Sequence, residues 1–109
     1  MLQRPDQRQT RLLALAEFIE QSDHFDMGQW CHCIAGHAVE MHNREEWRKI
    51  GRHDPNSLRY CARAEEILDV HDRDAARLFA NRGLDKHQVA RWIRNYVWTN
   101  ELTLSEQPW

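Results

Sequence analysis

Apolar residues recur along this chain at intervals of three and four. No alternating run is long enough to make a strand, so the pattern predicts helices throughout. The first should run from Pro5 or Asp6 to Gln21, because Leu12, Leu15, Ala16 and Ile19 fall at i, i+3, i+4 and i+7 with Phe18 beside them. A second start is marked by Asp26 and Gln29 as a capping-box-like pair, with Phe25 and Trp30 placed as a hydrophobic staple. That helix is expected from Met27 to about His42. Its core arc would hold Trp30, Met41, Ile34, Met27, Ala38, Cys31, His42 and Ala35, leaving Cys33 and His37 to project away. Gly36, a helix-interior glycine, would permit a close helix crossing.

A short helix from Arg44 to Ile50 should end at Gly51 as a left-handed cap, before the loop His53 to Ser57. The next, Leu58 to about Asp69, would turn Cys61, Ala64, Ile67 and Leu68 inward. A fifth, opening at His71 or Asp72, would bury Ala75, Leu78 and Phe79 and close at Gly83. Leu84, Asp85, Gln88 and Val89 then combine staple and capping box, ahead of the stripe Val89, Trp92, Ile93, Tyr96 and Val97. The expectation is an all-α compact orthogonal bundle of five to six short helices. Residues 1–98 would form one domain and 99–109 a tail that either docks or dangles. Trp30, Ile34, Gly36, Trp92 and Ile93 belong to its core.

Composition narrows the classes. A chain of 109 residues has room for one core, and 41% apolar with 29% charged residues describes a folded domain, not a disordered one. No apolar run approaches a membrane span and Met1 to Asp6 has no apolar leader, so neither membrane nor export is expected. Three cysteines, an odd number, fit reduced thiols in a cytoplasmic protein. A net charge of −2 argues against a general nucleic-acid coat, yet the charge is polarised. Leu12 to Asp26 carries four acids and no base, while Arg82 to Arg94 carries four bases against Asp85. Such a surface can steer a charged partner.

Four of the seven histidines lie between His24 and His42. Cys33 and His37, at i and i+4, have the spacing of two ligands on one ion, with Glu40 on the same arc. His24, His32, His53, His71 or Cys61 could complete the set. However, the paired knuckles of structural zinc are absent, and a buried cysteine and a carbonyl-satisfied histidine account for the same residues. No metal and no cofactor are therefore expected. Cysteine, histidine and acid are present without a nucleophile elbow, a Walker motif or a dinucleotide fingerprint, and so small a bundle offers little room for a pocket of the usual ~300 Å³. Pairs such as Glu45-Glu46 and Glu65-Glu66 read as solvated faces, and an enzyme is not expected.

On the last helix His87, Arg91 and Arg94 form a basic face near Lys86 and Arg82. It follows the turn Asn81 to Leu84, the outline of a helix-turn-helix reader. A solvated outer face has the same pattern. Five tryptophans exceed what this core needs, and Trp47, Trp98 and Trp109 lie outside the core stripes. Tryptophan and arginine are enriched at interface hot spots, and thirteen of the fifteen bases are arginine. The residues expected to touch a partner are Arg91, Arg94, Trp98, Trp47 and Lys86.

The stretch from Phe25 to Ala38, FDMGQWCHCIAGHA, resembles the signature of a family of small uncharacterised bacterial and phage proteins. Its members show F-D-M-x-x-W, one or two cysteines, then A-G-H-A or A-G-W-A. Leu68 to Phe79 is similar to the family's later L-G-L-x-x-x-E-A-x-x-L-F segment, with Asp69 where the family has glycine. Cys31 and Cys33 depart from the family's commoner C-x-x-x-x-C spacing. The resemblance implies an all-helical fold and a home in phages or mobile elements, and it brings no activity. It leads to the expectation of a stoichiometric binder of a host protein complex, such as an anti-CRISPR-like inhibitor of defence. A nucleic-acid-binding protein or a zinc-binding module stands as the alternative, and the oligomeric state is left open.

Overall fold

The computed structural model describes residues 7–80 and 85–99, in six helices and no strand among them. These are α1 (Gln7–Glu20), α2 (Ile34–His42), α3 (Arg44–His53), α4 (Arg59–Leu68), α5 (Asp72–Ala80) and α6 (Lys86–Thr99). The expected ends at Pro5, Asp6 and Gly83, the turn Asn81 to Leu84, and the tail beyond Thr99 lie outside the described residues.

Helices α1 and α6 pack antiparallel, each through the stripe its sequence announces. Leu12, Leu15, Ala16 and Ile19 meet Val89, Ala90, Trp92, Ile93, Tyr96 and Val97 in one buried core. Hydrogen bonds fix the direction: Gln9 donates to the Val97 carbonyl at one end, and Lys86 donates to the Ser22 carbonyl at the other. Arg11 reaches across to the Ile67 carbonyl at 2.7 Å and satisfies an orphan acceptor at the end of α4. The capping box of α6 forms in full. Asp85 accepts from the Gln88 amide at 2.8 Å, and the Gln88 side chain accepts from the Asp85 amide at 3.0 Å.

Helix α2 lies at the centre, packed on α1, α3, α4 and α5. Every residue from Ile34 to Glu40 is buried, as expected of a helix enclosed on all sides. This corrects the expected one-faced helix: Cys33 and His37 do not project away from the core, while His42, placed in the core arc, is exposed.

The start of α2 is a second correction. It begins at Ile34, not Met27, and residues 27–33 fold as consecutive turns. Asp26 uses its carboxylate on the Gly28 amide at 2.8 Å instead of capping a helix. Cys33 and His32 both donate to the Gln29 carbonyl, and Cys31 donates to the Pro55 carbonyl. Gly36 explains why the loop can lie there, since a Cβ on it would collide with the carbonyls of Trp30 and Cys31. The close approach is therefore loop on helix rather than helix on helix. Trp30 ends half-buried against the core.

Gly51 does not cap α3, which continues to His53 and ends on the extended Asp54. The glycine makes space for the Tyr60 hydroxyl, which donates to the Trp47 carbonyl at 3.0 Å. Tyr60 is fully buried, a core residue that the inward set Cys61, Ala64, Ile67 and Leu68 leaves out; Cys61 itself is half-buried. Helix α4 ends on Asp69, which adopts the left-handed conformation at φ 53°, where glycine is the usual residue.

Candidate functional site

Two regions gather the chemistry. The first is a histidine cluster where the α1–α2 loop meets α2. His37, on the first turn of α2, has no exposed surface. Its Nδ1 lies 3.1 Å from the Cys33 carbonyl and its Nε2 2.7 Å from the Ser22 hydroxyl. A carbonyl can only accept, so Nδ1 carries the proton and the Ser22 hydroxyl donates to Nε2. The edges of Phe18 and Phe25 and the stacked ring of His24, 4.9 Å away, complete its surroundings. Burial pushes its pKa down to about 4, so this imidazole is neutral at pH 7.

His24 is partly exposed and sits between two carboxylates, with Nδ1 2.8 Å from Asp23 and Nε2 2.8 Å from Glu40. Hydrogen bonds to Asp23 and then to Glu40 hold its pKa above the usual histidine range. The Glu40 side chain is only 3% exposed and its second oxygen meets Arg44 at 3.2 Å. One ligand atom from each of His24, His37 and Glu40 lies within 4.8 Å of the others.

The pair singled out by spacing does not close on itself. The Cys33 thiol turns to the Trp30 carbonyl, burial pushes its pKa up, and it meets His37 only through its own backbone. The imidazole instead finds His24 and Glu40. Of the other candidates, His53 is exposed, Cys61 is half-buried on α4, and His71 is exposed and bonded to Asp69. His32 lies beside His24, with ring centroids 5.4 Å apart.

Next to the cluster is an open pocket of about 320 Å³, lined by His32, Trp47, Tyr60, Pro55, Arg48 and Arg52 among others. This corrects the expectation that so small a bundle lacks such a volume. Trp47 is held inward, its indole donating to the Cys31 carbonyl at 2.8 Å.

The second region is the outer face of α6. Arg91 is exposed, and Trp98, seven residues on, is 69% exposed. Arg94 shares their stripe, and its guanidinium grips Glu20 with two hydrogen bonds of 2.9 and 3.2 Å. His87 approaches the same carboxylate at 3.7 Å. Lys86, half-buried, is tied to the Ser22 carbonyl. The structure thus brings Arg91, Arg94 and Trp98 into one stripe and sends Lys86 and Trp47 to interior bonds. Arg82 and Trp109 lie outside the described residues.

As for the helix-turn-helix outline, α6 packs principally on α1, and a Tyr96 hydroxyl bond to Asp74 links it to α5. No helix among the described residues is long and apolar enough to cross a membrane. Comparison with protein-family models, curated proteins and solved structures finds no match to the chain.

Proposed function

We propose that this protein acts by stoichiometric protein binding through the outer face of α6, with no chemistry of its own on the partner. The observation that carries the reading is Trp98, a large aromatic left in solvent on the stripe that holds Arg91 and Arg94. Leaving that much apolar surface wet has no benefit to folding, and a tryptophan beside arginines is the composition of an interface hot spot. The partner would be a larger host protein complex, in keeping with the phage and mobile-element resemblance, and occlusion of a defence complex is the form of action proposed.

Arg91→Glu and Trp98→Ala change exposed residues, so both variants should melt with wild-type protein. A host protein retained by immobilised wild type and lost by both variants is the expected outcome. Retention of the same proteins by all three would refute the proposed surface. A nucleic-acid reader would instead bind duplex DNA with an affinity falling steeply as salt rises.

A further inference from the structure

We propose that His24, His37 and Glu40 form a binding site for a divalent transition-metal ion, zinc being the best match. The inference rests on the cluster alone and is independent of the α6 surface, so either can fail without the other.

The donor set is two imidazoles and one carboxylate, which suits zinc, and three protein ligands with solvent in a fourth position is a common zinc arrangement. Their ligand atoms lie within 4.8 Å of one another, and the two rings have centroids 4.9 Å apart. Two donors at bond lengths of about 2.1 Å from one ion stand at most about 4.2 Å apart, so binding would draw the partly exposed His24 ring in and tilt it out of its stack on His37.

The surroundings are those that orient metal ligands. His24 presents Nε2 to the centre while its Nδ1 is engaged by the Asp23 carboxylate, and His37 is oriented likewise by the Cys33 carbonyl. Ligating histidines ordinarily have such a partner on the nitrogen that faces away from the ion. Arg44 steadies the far oxygen of Glu40.

Glu40 is a nearly buried carboxylate that already draws positive charge to both of its oxygens. His24 and Arg44 supply charge from one side each, and an ion seated among the three ligands would supply more. It would take the place of the His24–Glu40 hydrogen bond, and of the Ser22 hydroxyl on His37. Entry is from the exposed side of His24, where His32, Trp47 and the neighbouring pocket lie.

The test is titration of untagged, chelator-stripped protein with zinc against a competing chromogenic chelator, and with cobalt followed by absorption. The expected result is one equivalent of zinc, and a cobalt spectrum with no sulfur-to-metal charge-transfer band. His24→Ala and Glu40→Gln should weaken binding by about tenfold or more, with Asp23→Asn weakening it by roughly tenfold. Cys33→Ser should bind as wild type does. Zinc should also raise the melting temperature of wild type and Cys33→Ser and leave His24→Ala unmoved. His24 is partly exposed, so its alanine variant should fold, which circular dichroism verifies. Absence of stoichiometric binding, binding unchanged in folded His24→Ala, or a thiolate band abolished by Cys33→Ser would each overturn the assignment.

Discussion

At the scale of single residues, His37 is a fully buried histidine that stays neutral, satisfied by a backbone carbonyl as one reading of the sequence had it. It is edged by the rings of Phe18 and Phe25 and stacked on that of His24, and its two nitrogens are both bonded. Unfolded, its imidazole takes up a proton near pH 6.5; folded, it resists until about pH 4. Between these values the unfolded chain binds more protons, so acidification favours unfolding. With chelator present, the contribution of His37 should fall by about 3 kcal/mol from pH 6.5 to pH 4. His24 has the opposite sign, since its raised pKa gives stability that is full below pH 6.5 and lost as the pH rises through the folded value. Denaturant unfolding across this range, compared with His37→Gln, isolates the first effect: the variant should lose the acid-side slope. A slope unchanged in the variant would mean another group titrates there.

The periodicity that reveals helices also hides this residue. Reading a helix as one apolar stripe sends polar positions outward, and α2 is buried on every side, so His37 and Glu40 could not be placed by pattern. The i, i+3 pair His37 and Glu40 is the only local signal, and its partner His24 arrives through the loop. Cys33 has the right spacing from His37 for a shared ion, but spacing fixes neither the start of a helix nor the direction of a thiol.

At the scale of elements, the capping-box and staple pattern occurs twice, and it marks a helix start at α6 but not at α2. Asp85 and Gln88 sit ahead of a clean apolar stripe, and both capping bonds form. Asp26 and Gln29 carry the same signal, yet Gly28 between them lets Asp26 close a turn on its amide instead. The loop ahead of α2 then lies against Gly36, where the Trp30 and Cys31 carbonyls leave no room for a Cβ. Gly36→Ala gains intrinsic helix propensity and should nonetheless destabilise by about 3 kcal/mol, because rigid backbone would have to move. Chemical denaturation measures this; a stabilised variant would contradict the packing described. The α1–α6 seam is the other main element contact, and Ile93→Ala, at a fully buried position, should lose about 2–4 kcal/mol by the same measurement.

At the scale of the whole molecule, the charge polarity along the chain has a partly internal use. The acidic end of α1 and the basic face of α6 meet in the Glu20–Arg94 pair, with His87 alongside. The all-helical architecture was legible from sequence, but this neutralisation depends on the antiparallel docking of helices more than seventy residues apart in the chain. It leaves Arg91 and Trp98 as the exposed remainder of the stripe. The proposed partner contact on α6 and the proposed ion site in the α1–α2 region use separate residues, so each can be tested without disturbing the other.

The central claim is the proposal that the outer face of α6 holds a partner protein. Asn95 is exposed and lies between Arg91 and Trp98 on that face, so a photo-crosslinking amino acid there keeps both residues intact. Irradiation in host lysate should yield one dominant adduct, with the mass of one copy of this chain plus one host protein, and adding Trp98→Ala should abolish it. An adduct pattern unchanged by Trp98→Ala, or no adduct while a crosslinker on another helix gives one, would contradict the claim.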